Sequence, residues 1–536
     1  MYILKKSPRT LGLDEPIKHD SHKRPVSRRD FIAQGFRTGP AIVAGGAILS
    51  ALMGRPARGA MSPPLEDYAA DICNISAGAG KVPFIAFDLA GGANLHGSEM
   101  LIGAGGSPLN FLSTQGYATL GLPGNMTPGS ANAASPTNNF VNTEFGAAWH
   151  SDGAILRGML ASTQPATRAN TNGFGIAARS ENDTGNNPHN PMYGINRIGA
   201  DGQLLTLIGS QNTESGGNSM APASLINPAA RPTKVDRASD VTGLVDTGEL
   251  STLFSNSDDA IAVLESMTRL GHVKTNLTNP KLASLADNDS LRELVKCGYV
   301  KSTFLAERFR FPSDLNPDLD PDIKGPTGIF TDAEYAADNE FRKTAAVMKM
   351  VINGYAGAGT VTMGGYDYHG QGRNTGETRN FRAGRCIGAC LDYARRMNKP
   401  LMIYIFSDGS LSANGMVNNT VDGRGKLDWA SDNQSTASSL VMVYRPAGRV
   451  AFRSATRQQV GSMSPQGAVV TSSSPAANAV NLLVETVLLN YMALHQEEGN
   501  FDQPAFFPRH GLGGTAARDA LTILGPVCNG TISNPV

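Results

Sequence analysis

The stretch Thr360-Val361-Thr362-Met363-Gly364-Gly365-Tyr366-Asp367-Tyr368-His369-Gly370, with a helical pattern after it and then Lys399-Pro400-Leu401-Met402-Ile403-Tyr404-Ile405-Phe406-Ser407-Asp408-Gly409, decides the fold. Leu401 to Phe406 is an unbroken apolar run with β-branched and aromatic residues, the pattern of a strand covered on both faces. Thr360 to Met363 is a shorter run of the same kind, stopped by two glycines. Between them, Arg379 to Met397 sets Phe381, Cys386, Ile387, Cys390, Leu391 and Ala394 at three- and four-residue spacings, with most of the arginines on the other side. That spacing predicts an amphipathic helix. Strand, crossover helix and strand make a right-handed parallel unit, whose ligands collect at the carboxyl ends of the strands. Asp367, His369, Ser407 and Asp408 all fall at that edge. Asp before Gly is also ordinary turn chemistry, so the acids have a structural reading beside the functional one.

Working outward, Val82 to Leu89 reads as another core strand with Asp88 near its end, running into Ala90-Gly91-Gly92-Ala93-Asn94-Leu95-His96. Asp88, Asn94 and His96 thereby join the candidates for the same edge. Neither G-x-G-x-x-G nor G-K-[ST] follows, so the glycines make no phosphate loop. Helices are expected over Thr247–Leu270, Ser284–Phe309, Asp332–Tyr355 and Ala477–Leu494, and further strands at Leu204–Ile208 and Ser439–Tyr444. Ala154 to Leu160 is a short apolar run that re-enters the core. Asp432 lies in a polar segment just before the last of those strands. The fold expected is α/β, a mainly parallel central sheet covered by helices on both faces, with loop-rich insertions at about 100–150 and 211–330 in one domain spanning 61–536.

The polar run from Ala178 to Pro191 holds Ser180, Thr184 and His189, two hydroxyls and an imidazole that suit a nucleophile and its helper. An Asx-rich surface loop has the same composition.

Composition excludes some classes. Lys plus Arg and Asp plus Glu both number 46, so neither a nucleic acid nor an anionic membrane is implied as a partner. Ser27-Arg28-Arg29-Asp30-Phe31-Ile32, a weakly apolar run from Ala41 to Leu52 and small residues at Ala57 to Ala60 resemble a bacterial twin-arginine export signal over residues 1–60. The expected destination is periplasmic or secreted, with the twin-arginine translocase as a transient partner and no stable membrane span once the signal is gone. The five cysteines leave at least one thiol unpaired, and Cys386 and Cys390, one helical turn apart, read as buried core thiols.

The order G-G-x-N, then a helix into G-G-Y-D-Y-H, then F-S-D-G, then a Trp/Asp segment before a strand resembles an uncharacterised family of twin-arginine-exported bacterial proteins. That family belongs to the alkaline-phosphatase-like, or sulfatase-like, superfamily. The resemblance implies an alkaline-phosphatase-like fold and a divalent metal (Zn, Mn, Mg or Ca) held by Asp88, Asn94, Asp367, His369, Asp408 and Asp432. It departs at three places: Asn94 stands where an acid is expected, Asp408 replaces Glu, and Asp432-Asn433 replaces Asp-His. Losing an acid and an imidazole removes negative charge and a strong donor, which is expected to weaken or abolish one metal position of the pair that superfamily members use. Two functions follow as expectations. One is a metal-dependent hydrolase of a small-molecule phosphate or sulfate ester; the other is a protein that keeps the fold, has lost the chemistry and binds an envelope or surface protein.

Overall fold

Seven strands of the chain bring distant segments into one sheet, seen in a computed structural model that describes residues 62–73, 80–179, 187–245, 257–277, 285–308, 315–370 and 372–536. The segment expected to be an export signal, residues 1–60, lies outside these residues. The strands are β1 (Phe84–Leu89), β2 (Thr171–Arg179), β3 (Leu205–Gly209), β4 (Thr233–Lys234), β5 (Ala356–Met363), β6 (Leu401–Phe406) and, after the hairpin β7 (Leu411–Val417) and β8 (Leu427–Asp432), β9 (Ala437–Tyr444). Their order across the sheet is β2-β9-β6-β1-β5-β3-β4. From β6 to β4 every neighbour is parallel; β9 alone runs against its neighbours β6 and β2. The sheet is therefore mostly parallel, as its continuous apolar strands demand.

The two strands of the deciding stretch, β5 and β6, are parallel but not adjacent, because β1 lies between them. In register, Asp88 pairs with Thr362 on one side and Phe406 on the other. Three chain segments far apart in sequence thus end at one level. All residues of β1 and β6 are buried. Phe84, Ala86, Met402, Tyr404 and Phe406 pack with Leu483, Val487 and Leu488 of helix α4 (Val480–Ala493). On the other face, helix α2 (Asn339–Ile352) lies so close to β5 that a Cβ on Gly359 would sit 2.6 Å from Val347. Helix α3 (Arg373–Arg396) packs on α2 and on α1 (Ala154–Ser162). Burying each such Leu or Ile side chain is worth roughly 1.5–3 kcal/mol, and this two-faced core is what sets the height of the strand ends.

Several elements differ from the reading of the sequence for local reasons. The helix expected over Asp332–Tyr355 is broken at Asp338, whose extended backbone lets its side chain cap the second piece through Glu340 N (2.9 Å). The first piece, Asp332–Ala337, has its own Thr331/Glu334 capping box. Helix α3 starts six residues earlier than its apolar spacing suggests, because Asp428, distant in sequence, accepts from Arg373 N at 2.7 Å. Ala154 onward is a helix, and the polar run after Ala178 follows directly on β2, whose alternating glycines hide a strand. Residues 100–150 carry a short helix, Thr114–Thr119, and a small buried cluster with Leu101, Ile102, Leu112, Tyr117 and Leu122.

The described residues divide into two compact units, the sheet unit drawn from 78–237 and 320–536, and a helical unit drawn from residues up to 77 and from 238–319. In the helical unit, Pro63–Asp71 packs on Ser257–Leu277 and Leu285–Arg308 around Leu65, Ala69 and Val300. Arg269, 1 % exposed, pairs with Glu265 at 2.6 Å and donates to Ser62 Oγ at 2.7 Å. A Cys73–Cys297 disulfide closes a span of 224 residues. Cys386, Cys390 and Cys528 are buried free thiols, and burial pushes Cys386 up to about 12. Among the described residues no helix is long and apolar enough to cross a membrane.

Reducing that disulfide, or replacing Cys73→Ser, is expected to cost the helical unit about 2–5 kcal/mol. Hydrogen exchange followed by mass spectrometry should show faster exchange over residues 257–308, while the strands of the sheet stay protected. Unchanged protection in those helices would contradict this.

Candidate metal centre

The turn after β1 is the meeting point. Gly91 has φ +118, a conformation L side chains rarely adopt, and a Cβ there would lie 2.2 Å from Asp367 N. Only glycine lets the loop after β5 cross so close. Gly91 N donates to Asp408 Oδ1 at 2.8 Å, and Gly409 N donates to Gly91 O at 3.1 Å. Ser407 Oγ donates to Gly91 O at 2.6 Å and accepts from Ala93 N at 2.9 Å. A Cβ on Gly92 would lie 3.3 Å from Asp432 Oδ1. The ends of β1, β5 and β6 and the last residue of β8 are therefore clasped around two glycines.

Above this turn, Asp367, His369 and Asp432 each offer one ligand atom, all within 4.8 Å of one another. His369 Nδ1 pairs with Asp367 Oδ1 and lies 3.1 Å from Asp432 Oδ1. The alternation of the segment explains the pair: Tyr366 and Tyr368 point inward and are buried, so Asp367 and His369 point outward. Side-chain exposures of 56 %, 38 % and 42 % leave the three groups open to solvent. Two carboxylate oxygens and an imidazole nitrogen fit a hard or borderline divalent ion such as Zn, Mn, Mg or Ca, with coordination positions left for water or a ligand. Asp432, expected in a polar segment before β9, reaches the site from a β-hairpin strand, β8.

The other residues expected at the edge have partners within the protein. Asp88 is fully buried, and its Oδ2 accepts from Asn218 N (2.6 Å), Ser219 N (2.9 Å) and Thr362 Oγ1 (3.3 Å). Burial raises its pKa while those donors oppose the rise. It anchors the loop after β3. Asn94 is 1 % exposed and turns its Oδ1 to Ser98 Oγ at 2.8 Å. Asp408 lies beneath the turn, on Gly91. His96 bonds Ser439 O at 2.8 Å, and burial lowers it to about 4. His189 is buried, stacks on Phe406 at 5.5 Å and is lowered to about 3 by burial, so it is neutral at pH 7. Ser180 and Thr184 lie outside the described residues.

A polar layer supports the turn from below. Tyr368 OH accepts from Asn94 N at 2.8 Å and donates to Asn380 Oδ1 at 3.2 Å, and Asn380 Nδ2 reaches Asn94 O (3.1 Å) and Glu99 Oε1 (2.9 Å). Beside it, buried Glu377 pairs with Arg157 (2.6 Å), Lys426 (2.8 Å) and Arg373 (2.9 Å). The sequence reading, which starts this helix at Arg379, misses Glu377 and Asn380; their three-residue spacing on the buried face of α3 is the signal that points to them, since a polar pair at core spacing must be satisfied.

Compared with protein-family models and with curated proteins, the chain matches none of them.

Glu99 allows a test of the buried layer. Burial, and the nearby Glu377 charge, raise its carboxyl to about 7 from 4.5, with Lys426 opposing. The folded state therefore holds a proton that the unfolded chain has released, and this contribution to stability is lost as pH rises from about 4.5 to about 7. His96 and His189, lowered by burial, tilt stability the other way below pH 6.5, so the comparison between proteins carries the sign. Urea melts of Glu99→Gln and the wild type should differ increasingly in the variant's favour from about pH 5 to about pH 7.5. A difference that stays constant across that range would count against it.

Proposed function

We propose that the protein is an exported, divalent-metal-dependent hydrolase of phosphate or sulfate esters, with an alkaline-phosphatase-like or sulfatase-like fold. The observation that carries this reading is the convergence of Asp367, His369 and Asp432 within 4.8 Å, at the carboxyl edge of a mostly parallel sheet, where open α/β sheets bind ligands. A divalent ion held there supplies Lewis acidity toward an ester oxygen and eases deprotonation of a hydroxyl. Asp367 and Asp432 bring the negative charge that holds the ion, and His369 adds a nitrogen donor whose orientation the two acids fix. Half-exposed side chains admit a substrate from solvent. Ser180 or Thr184 is the proposed nucleophile; Asn187, the first described residue after that segment, donates to Asp408 O at 2.9 Å and so ties the segment's end to the same edge. His189, stacked on Phe406, is proposed as its neutral helper. Export is supported by the Arg28-Arg29 signal pattern and by the Cys73–Cys297 bridge, which suits an oxidising compartment.

A second reading has its own support. Asp88 and Asn94, two of the six ligands that the resemblance implies, are committed to internal hydrogen bonds. That arrangement favours one metal position over a pair, and fits a protein that keeps the fold and binds an envelope or surface partner.

Elemental analysis and hydrolysis assays on the exported protein separate the two. The hydrolase reading expects near-stoichiometric divalent metal and turnover of an aryl phosphate or aryl sulfate, abolished by chelation and cut by more than about 100-fold in Asp367→Ala. Bound metal without turnover would favour the binding protein; neither metal nor turnover would remove the hydrolase.

A further inference from the structure

The loop-rich segment that the sequence places at about 100–150 forms one wall of a groove, and the turn joining β7 to β8 forms another. Between them lies a cavity of about 510 Å³, inside the range of small-molecule sites, roughly 300–1,000 Å³. Strand β8 begins two residues after Gly425, which lines the cavity, and ends at Asp432 of the metal site. An extended strand of that length covers about 17 Å, so the groove and the metal position are separate places.

The lining is polar without net charge. Its two ionic side chains, Asp152 and Arg424, neutralise each other, with Arg424 Nε 3.1 and 3.0 Å from the two carboxylate oxygens. A charged ligand would find no complementary field there. Three carboxamides, of Asn125, Asn132 and Asn419, also line the cavity. Among the described residues the Asn125 and Asn419 amides have no hydrogen-bond partner, Asn132 uses only its Oδ1, which accepts from Ala134 N at 2.9 Å, and Arg424 Nη1 is unbonded. Each amide carries donors and an acceptor, so it can meet a hydroxyl in either role. Pro123, Pro136 and Val417 add apolar surface.

The walls are held in a costly shape. Phe140 and Arg424, both in the lining, have φ +57 and +56, and Asn138 beside them has φ +63. Among the described residues these are three of the five non-glycine residues in the left-handed region, which bulky side chains rarely adopt. Specific contacts keep them there: the Phe140 ring stacks on His150 at 5.3 Å, Phe140 O accepts from Ser151 N at 2.9 Å, and Asp152 clamps Arg424. Strain that the surroundings sustain clusters at ligand sites, and walls fixed in advance lower the cost of binding.

We infer that this groove is a binding site for a neutral saccharide, whose hydroxyls exchange hydrogen bonds with Asn125, Asn132, Asn419 and Arg424 and whose C–H faces lie on Pro123, Pro136 and Val417. A sugar alternates hydroxyl and C–H surface and has no charge, which is the complement of this lining. A nucleic acid would need an excess of positive charge. An extended peptide would need a free strand edge, and of β7 only its last residue, Val417, reaches the cavity. The inference is independent of the metal-site reading.

The test is calorimetric titration of the full-length protein with maltotriose, cellotriose, mannotriose and triacetylchitotriose, each in turn. Wild type should bind at least one of them. The double variant Asn125→Ala/Asn419→Ala removes two exposed amides that have no partner within the described protein, and should weaken that binding about tenfold or more. Ala134→Trp, at an exposed position of the lining, should fill the cavity and abolish it. Thermal melting should be the same in all three proteins, and Asp367→Ala should bind the sugar as wild type does. No trisaccharide bound by wild type, or unchanged affinity in either groove variant, would overturn the assignment. Binding lost in Asp367→Ala would place the sugar at the metal position and overturn it as well.

Discussion

Everything at the carboxyl edge depends on the contact at Gly91, where a backbone without a side chain lets the Asp367 segment pass within van der Waals reach and leaves an N–H for Asp408. The ends of β5 and β6, and that of β1 from a distant part of the chain, are tied there by backbone and carboxylate hydrogen bonds. The outward groups Asp367, His369 and Asp432 owe their mutual distance to this clasp, since each stands on a segment that touches Gly91 or Gly92. Buried Asp408 and Ser407 bond the backbone of the turn. The same turn therefore divides the acids into two classes: those beneath it hold the scaffold, and those above it face solvent.

The division also explains the electrostatics. Beneath the turn, Asp88 and Glu99 sit out of water and hold their protons more tightly than free carboxyls do, so the sheet edge is less negative inside than its count of acids suggests. Around Glu377 the opposite holds: Lys426, Arg373 and Arg157 keep its carboxyl below the usual range despite full burial. Such a layer is costly to break and rigid when satisfied. It ties α3 to Arg157 and Lys426 beside the loop that carries the metal ligands.

The strand and helix runs that build the core were legible because burial on both faces leaves an unmistakable apolar pattern: Leu401 to Phe406, Phe84 to Leu89 and the stripe on α4 all stand where the sequence puts them. The edge placement of Asp367 and His369 was legible for the same reason. What escaped was decided by partners distant in sequence. Strand β2 is rich in small residues, and its pairing with β9 has no local signature. The early start of α3 depends on Asp428, and the Cys73–Cys297 bridge cannot be read from spacing. Asp88 ends a strand beside two glycines, and the amides of Asn218 and Ser219 that bond it come from a loop whose course only the fold reveals.

The claim on which the functional account turns is that a divalent cation sits among Asp367, His369 and Asp432. Anomalous diffraction from crystals of the exported protein grown with manganese(II) addresses it directly. The account predicts a peak roughly 2.0–2.4 Å from a donor atom of each of the three residues. No peak at that position, or manganese found only at other sites, would contradict it.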